Sequence, residues 1–481
     1  MSSLFSRTLI LILSRVMNYS IILLSPIFLV RILDIESYGQ YREFILYAMI
    51  CVNILGFSIN SNLFYFIPKA PDKERECVTN TAILTFIASF IGAIIVVIFK
   101  PLILAKTSYD FILPLIFYLF FFLNLNFWEP YWLAKKRSDN VLYYSTLRTL
   151  IRMTVVILIA YFTRDVNVII YSMVVVEVVR FVFVFFFFAR IKVFSKKLNF
   201  GIIKEQLTFI IPLGVASTII YFNSRISHLF ISVNLGVSFL AIYTIGSYQV
   251  PIINIIRGSV GDVLFPEIVQ RNLKDPLHGL KLWQKKNLIA CCVSFPIFVI
   301  LFFYADIFIK TLFTDTYIEA IPIFKIYLFF MLRQSFEMSS PLRSLNKNKP
   351  FILANIFTLS LNVFLMFTLF KLIGILGPAL AFVLADIAQA LYLAILVLRV
   401  YKIRLKDLQM WTKVYKISGV ALICFPILLL GQLFHINEIF RALVFSTCYL
   451  TIYAFSLFFL RFEEINVIVF HIKDKINSAY A

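Results

Sequence analysis

Apolar segments of about 20 residues, each long enough to cross the hydrocarbon of a bilayer, recur along the whole chain with short polar breaks between them. They fall at about 8–30, 41–67, 80–99, 109–133, 141–162 and 166–189, then at 206–233, 237–257, 287–305, 317–338, 351–371 and 375–398, and last at 411–432 and 439–460. In lipid a backbone must satisfy its own hydrogen bonds, so a chain patterned in this way crosses the membrane as α-helices. The expectation is an all-α membrane protein with about 14 transmembrane helices. Composition agrees, because 61% hydrophobic residues against 15% charged ones is more apolar surface than a water-soluble core absorbs.

The charges between the spans alternate. Connectors holding Lys69, Lys73 and Arg75, then Lys135, Lys136 and Arg137, then Arg190, Lys192, Lys196 and Lys197, follow every second span. The series continues with Arg271, Lys274, Lys281, Lys285 and Lys286, then Arg343, Lys347 and Lys349, then Lys402, Arg404 and Lys406, and finally Lys473 and Lys475. Intervening connectors are poor in basic residues. The positive-inside rule therefore puts both termini in the cytoplasm and requires an even number of spans. Read this way, the net charge of +20 reports membrane topology and not a nucleic-acid partner. The amino terminus, MSSLFSRTLILILSRVMNYSIILL, begins like a signal peptide, but no small-residue cleavage site follows, so a retained first span is expected. Six cysteines (Cys51, Cys77, Cys291, Cys292, Cys424 and Cys448) lie almost entirely in apolar runs with no metal-ligand spacing and read as membrane-buried hydrophobes.

An internal repeat accompanies this order. The break after span 1 runs from Leu33 to Tyr41 and the break after span 7 from Leu235 to Tyr243, each a leucine, a short turn and a tyrosine eight residues on. Spans 1–6 and 7–12 share one orientation, so they are expected to form parallel repeats. The domains expected are an N-lobe over 1–200, a C-lobe over 201–405, and an accessory helix pair with a cytoplasmic tail over 406–481.

Phosphate-loop, zinc-protease, C-x-x-C and nucleophile-elbow motifs are missing from the sequence, so nothing points to an enzyme, a metal site or a catalytic residue. A membrane glycan polymerase or glycosyltransferase calls for a sizeable external loop, yet the longest connector, Arg257–Lys286, is on the cytoplasmic side. The informative residues are the charges inside the spans, which are costly in hydrocarbon unless they line a hydrated cavity or pair with one another. Arg225 lies deep in span 7 in a polar patch with Asn223, Ser224, Ser227 and His228. It is too far from the outer end for easy snorkelling, whereas His228 by itself reads as a core histidine. Arg148 and Arg152 share a face of span 5, and Glu177 and Arg180 lie in span 6, where Arg152 and Glu177 have the depth to meet. They form a structural ion pair or a charged cavity lining. Asp386, with Gln389 one turn on, holds in span 12 the ordinal place that Glu177 holds in span 6, which fits a proton or cation site or a simple interhelical hydrogen bond. Arg333 with Glu337, and Glu129 with the Lys135 cluster, read as interfacial pairs. Arg15 stands near the inner end of span 1, within snorkelling reach.

The R-x-x-N of Arg15 and Asn18, the RILDIESYGQY turn, the NSRIS and AIYTIGSYQV segments of spans 7 and 8, and LFPEI at 264–268 together resemble the polysaccharide transporter branch of the multidrug/oligosaccharidyl-lipid/polysaccharide (MOP) exporter superfamily, which includes the O-antigen and capsule-repeat flippases. The resemblance implies two six-helix lobes around a cationic central cavity, a helix pair offering a groove for a lipid tail, and no cofactor beyond coupling to H+ or Na+. It also implies a substrate, an oligosaccharide repeat unit on undecaprenyl pyrophosphate, moved outward across the bacterial cytoplasmic membrane. A polysaccharide polymerase and a chain-length regulator are the partners implied. Arg225, Asn223, His228, Arg152, Arg148, Arg15 and Asn18 become the substrate-binding candidates, with Asp386 and Glu177 as ion-coupling candidates. Guanidinium groups supply the charge-assisted hydrogen bonds a pyrophosphate needs, and Tyr221, Tyr243 and Tyr248 either stack on sugar faces or, as is commoner where aromatic residues are this frequent, pack against other helices. The alternatives are a cation-coupled drug exporter or a peptidoglycan-precursor exporter of the same superfamily.

Overall fold

The computed structural model describes residues 17–18, 20–22, 24–101, 110–195, 198–250, 268–269, 275–345 and 348–460. Within them every expected apolar stretch carries helix, and strand is absent among the described residues. Among the described residues ten helices are long and apolar enough to cross a bilayer, or eleven when a bent pair counts as one span. Arg15 and residues 264–267 of the LFPEI segment lie outside the described residues. The chain divides into two compact units, Met1–Thr244 and Ile245–Ala481.

The first unit holds α1 (Ile35–Gly56), α2 (Leu63–Lys69), α3 (Glu74–Ile98), α4 (Ile112–Leu123), α5 (Trp128–Ala134), α6 (Ser138–Thr163), α7 (Val166–Arg190) and α8 (Phe200–Leu235). Asp34 starts α1 by accepting the Ser37 backbone N–H at 2.8 Å, which satisfies one of the orphan donors of the first turn. The helix stops where Phe57 and Ser58 take positive φ, and the chain bends by 43° into the Ile59–Lys69 segment. At its other end α8 stops at Gly236, with φ +88° and ψ −177°, a conformation open to glycine and strained for other residues. The break before α9 (Val237–Gly246) is thus the single residue Gly236, shorter than the polar stretch of the sequence suggests.

α1 and α8 are antiparallel neighbours, and glycines set their separation. A Cβ on Gly39 would overlap the Val237 backbone, and one on Gly214 would overlap the Phe57 ring. Between these two close contacts the Ser232 hydroxyl donates to the Glu43 carboxylate, and the Ser58 and Ser217 hydroxyls meet at 2.8 Å. Asn62, at the bend after α1, accepts from Thr81 of α3 at 3.1 Å and from Gln206 of α8 at 3.2 Å, so the buried polar groups there are tied across three segments. Beneath them Glu74 accepts from Tyr131 and Lys135, each at 2.7 Å. Lys135 therefore pairs with Glu74 and not with Glu129, because the chain turn after α5 aims it at the start of α3.

The second unit holds α10 (Pro276–Phe303), α11 (Ala305–Phe313), α12 (Ala320–Arg333), α13 (Asn348–Ile373), α14 (Leu376–Tyr401), α15 (Trp411–Ile423), α16 (Pro426–Gly431) and α17 (Glu438–Phe459). α13 and α14 form a tight hairpin in which Gly377 lies against the Leu369–Phe370 backbone. The accessory pair packs on α10: Tyr449 donates to the Ala421 carbonyl at 2.9 Å and Tyr453 to the Cys292 carbonyl at 3.0 Å. Lys286 pairs with Glu337 at 2.8 Å, whose other oxygen accepts the Ser340 backbone N–H at 2.9 Å. Arg333 turns the opposite way and pairs with Asp386. The i,i+4 pair expected of Arg333 and Glu337 is absent, because α12 ends at Arg333 and Glu337 lies beyond the helical register.

Candidate functional site

The antiparallel fit of α1 on α8 puts Arg42 and Arg225 on one cleft of ≈ 50 Å³, lined also by Tyr221, His228, Leu240 and Thr244. That volume is room for a few waters or a small anionic group. Arg42 is eight residues beyond the Asp34 cap, about 12 Å along the helix, and Arg225 is ten residues before Leu235, about 15 Å. Both charges are therefore held well inside their helices. No ion pair joins either guanidinium to a carboxylate among the described residues. Arg225 lies over the Tyr221 ring, 5.8 Å from its centroid, a contact that offsets part of the desolvation cost without neutralising the charge.

His228 lines the cleft as a buried group with its ring edge-on to Tyr243 at 5.0 Å. Tyr243 is itself fully buried, which withdraws it as a stacking surface for sugar. Tyr221 does line the cleft, while Tyr248 packs against Phe313 at 5.4 Å. Asn223 is half-buried on α8 and does not line the cleft. Sequence reasoning does not reach Arg42 and its neighbour Glu43, because with span 2 beginning at about residue 41 both fall in its first turn. The helix begins at Ile35, two turns earlier, and Glu43 is fully buried.

A second cluster joins α4, α6 and α7. Glu177 bonds Arg180 at 2.5 Å and lies 3.8 Å from Arg148. Arg180 also donates to the carbonyls of Phe121 and Phe122 at 2.8 and 2.9 Å, the unpaired end of α4, where a cation is favoured. Arg152, expected to meet Glu177, lies instead over the Tyr118 ring at 5.8 Å, and Arg148 makes the contact. Arg148 and Arg180 share the carboxylate of Glu177 and Arg152 has no ion pair among the described residues, so the cluster keeps an excess of positive charge. Asn18 donates to Ser145 at 3.1 Å, one turn from Arg148 on α6. Asp386 lies in the second unit, paired with Arg333.

Solved structures of this architecture exist. The chain is similar to the lipid II flippase MurJ in an inward closed conformation, at TM-score 0.69 and 17% identity over 93% of this chain and 99% of that one. It is similar to an inward-facing multidrug resistance MATE family transporter of the MOP superfamily, at TM-score 0.53 and 15% identity over 80% and 96%. A MOP superfamily transporter from Pyrococcus furiosus, whose binding pocket is described as reversed in polarity, aligns at TM-score 0.53 and 13% identity over 82% and 94%. No curated protein matches the sequence. Taken with the many apolar helices, these likenesses define a multi-pass membrane protein with the fold that MurJ and MATE transporters share.

The sequence profile of one family, described as polysaccharide biosynthesis protein, matches residues 27–322. The chain belongs to that family.

Proposed function

We propose that this protein is a flippase that moves an oligosaccharide repeat unit on undecaprenyl pyrophosphate across the bacterial cytoplasmic membrane by alternating access, with both termini cytoplasmic. The observation that carries the reading is the pair Arg42 and Arg225 on one cleft inside apolar helices, with no carboxylate paired to either among the described residues. Uncompensated guanidinium groups at membrane depth favour a polyanionic ligand, and a pyrophosphate offers the oxygens for bidentate contacts. The Arg148–Arg152 cluster gives a second cationic subsite for an anionic group. Membership in a polysaccharide biosynthesis family supports a glycan cargo made by cytoplasmic sugar transferases and passed to an external polymerase and its chain-length regulator. The likeness to a lipid II flippase keeps a peptidoglycan precursor as the second reading, since its carrier lipid presents the same pyrophosphate. A cationic drug is disfavoured by the same arginines.

For coupling to H+ or Na+, the Asp386–Arg333 pair is the better candidate. Its carboxylate side chain is 10% exposed against 1% for Glu177, so exchange of the arginine for a small cation has a path. The test is display of surface glycan in cells carrying Arg225→Ala. Loss of display with normal membrane levels, and partial recovery in Arg225→Lys, is expected; wild-type display in the alanine variant overturns the role of the cleft.

A further inference from the structure

The start of α10 and the connector from α14 to α15 enclose a groove of ≈ 560 Å³ that the transport reading does not use. Lys281 of α10 and Lys402, Arg404 and Lys406 of the connector line it. The acid among its lining residues is Asp407, which Arg404 approaches at 3.7 Å on the surface, leaving the groove net cationic. Its walls are fixed. Gln284 donates to the carbonyls of Asp407 and Leu408 at 2.7 and 3.2 Å, which clamps the connector onto α10. Lys402 holds positive φ at the end of α14, so the chain turns sharply there and throws Arg404 and Lys406 back toward Lys281.

Two features mark the groove as built for an occupant. Gln409 is among the residues that line it, and with that residue 4% exposed its side-chain amide nitrogen finds no hydrogen-bond partner among the described residues. A buried donor without a partner is costly and awaits an acceptor. Apolar side chains also border the cations: Leu277 lines the groove and is 52% exposed, and Leu405 of the connector is 64% exposed. The nearby Trp411 indole donates to the Leu405 carbonyl at 2.9 Å, a placement typical of the headgroup level. A cationic wall, a buried donor and an apolar lip at the end of membrane helices match a phosphodiester with acyl chains beneath it.

We infer that this groove is a binding site for the headgroup of an anionic phospholipid, taken from the leaflet that faces the basic connectors. The phosphate sits among Lys281, Lys402, Arg404 and Lys406 and accepts from Gln409, and the glycerol and chain ends lie against Leu277.

The experiment is native mass spectrometry of the full-length protein in detergent, titrated separately with phosphatidylglycerol, phosphatidylcholine and inorganic phosphate. The wild type is expected to retain phosphatidylglycerol and not phosphatidylcholine. In Lys281→Gln/Lys402→Gln/Arg404→Gln/Lys406→Gln the affinity falls by about a thousand-fold, four lost surface cations each being worth about 1 kcal/mol toward an anionic lipid. A control that removes the same charge elsewhere, Lys73→Gln/Arg75→Gln/Lys136→Gln/Arg190→Gln, leaves binding within about two-fold, the scale of an ordinary surface change. Gln409→Leu, which removes the buried donor at similar size, weakens retention without changing net charge. Equal losses in the control, equal retention of phosphatidylcholine, or full displacement of the lipid by inorganic phosphate would each overturn the site.

Discussion

Arg42 of α1 and Arg225 of α8, far apart in the chain, line the same cleft. If both hold one anionic headgroup, Arg42→Ala and Arg225→Ala each abolish transport, and the double variant is no worse than either. Such non-additivity is expected of groups acting as a unit. Lysine at either position restores part of the activity, since it returns the charge without the planar fork. Glycan display, read against the amount of folded protein in detergent, checks this; independent additive losses sink it.

Arg180 and Arg152 separate structure from function within one cluster. Arg180 is spent on Glu177 and on two carbonyls of α4, so Arg180→Ala takes from the buried Glu177 its hydrogen-bonded partner, leaves only the longer Arg148 contact among the described residues, and costs about 3 kcal/mol. Arg152 lies over the Tyr118 ring and joins no ion pair among the described residues, and Arg152→Ala leaves the melting temperature nearly unchanged while lowering transport. Thermal denaturation in detergent beside a transport assay distinguishes the two.

Gly39 and Gly214 test the helix pairing that creates the cleft. A methyl group at either runs into the Val237 backbone or the Phe57 ring, and overpacking of this kind costs about 1–3 kcal/mol. Gly39→Ala faces unyielding backbone and is expected to be the more harmful, with loss of stability and transport together. Unchanged melting in both variants would contradict the close approach of α1 to α8.

The Asp34 cap carries a pH signature. The Ser37 backbone N–H, ahead of the opposing effect of partial burial, holds its carboxyl below the ordinary value of 3.8. The folded value lies below the unfolded one, so the stabilisation is fully present above the ordinary value and is lost as pH falls through the lowered one. Asp34→Ala should cost about 1 kcal/mol at neutral pH and approach the wild type on acidification through that window. Parallel melting curves across pH would show that the carboxylate does not act as a cap.

Asp386 sits on Arg333. Asp386→Asn keeps the hydrogen bond and removes the charge that a proton or sodium ion would titrate. If transport is coupled there, the variant loses its response to the ion gradient while still binding substrate, which vesicle uptake with and without an imposed gradient measures. A normal gradient response removes Asp386 from consideration.

Much of this protein is legible along the chain. Whether a segment enters the bilayer depends on hydropathy summed over some 20 neighbouring residues, and its direction depends on nearby lysines and arginines. Both are local quantities, so the helical stretches follow from sequence, and so does the presence of awkward charges such as Arg225, Arg152 and Asp386. Which charges meet was decided only by the tertiary structure. Two glycines without any periodic signature bring α1 against α8 and so set Arg42 beside Arg225. The end of α4 captures Arg180 with its free carbonyls, and the stop of α12 at Arg333 sends that side chain to Asp386 and leaves Glu337 to Lys286. Insertion is governed by sums over neighbours in sequence, but the partner of a buried charge is chosen by neighbours in space, and those are fixed only when the helices have packed.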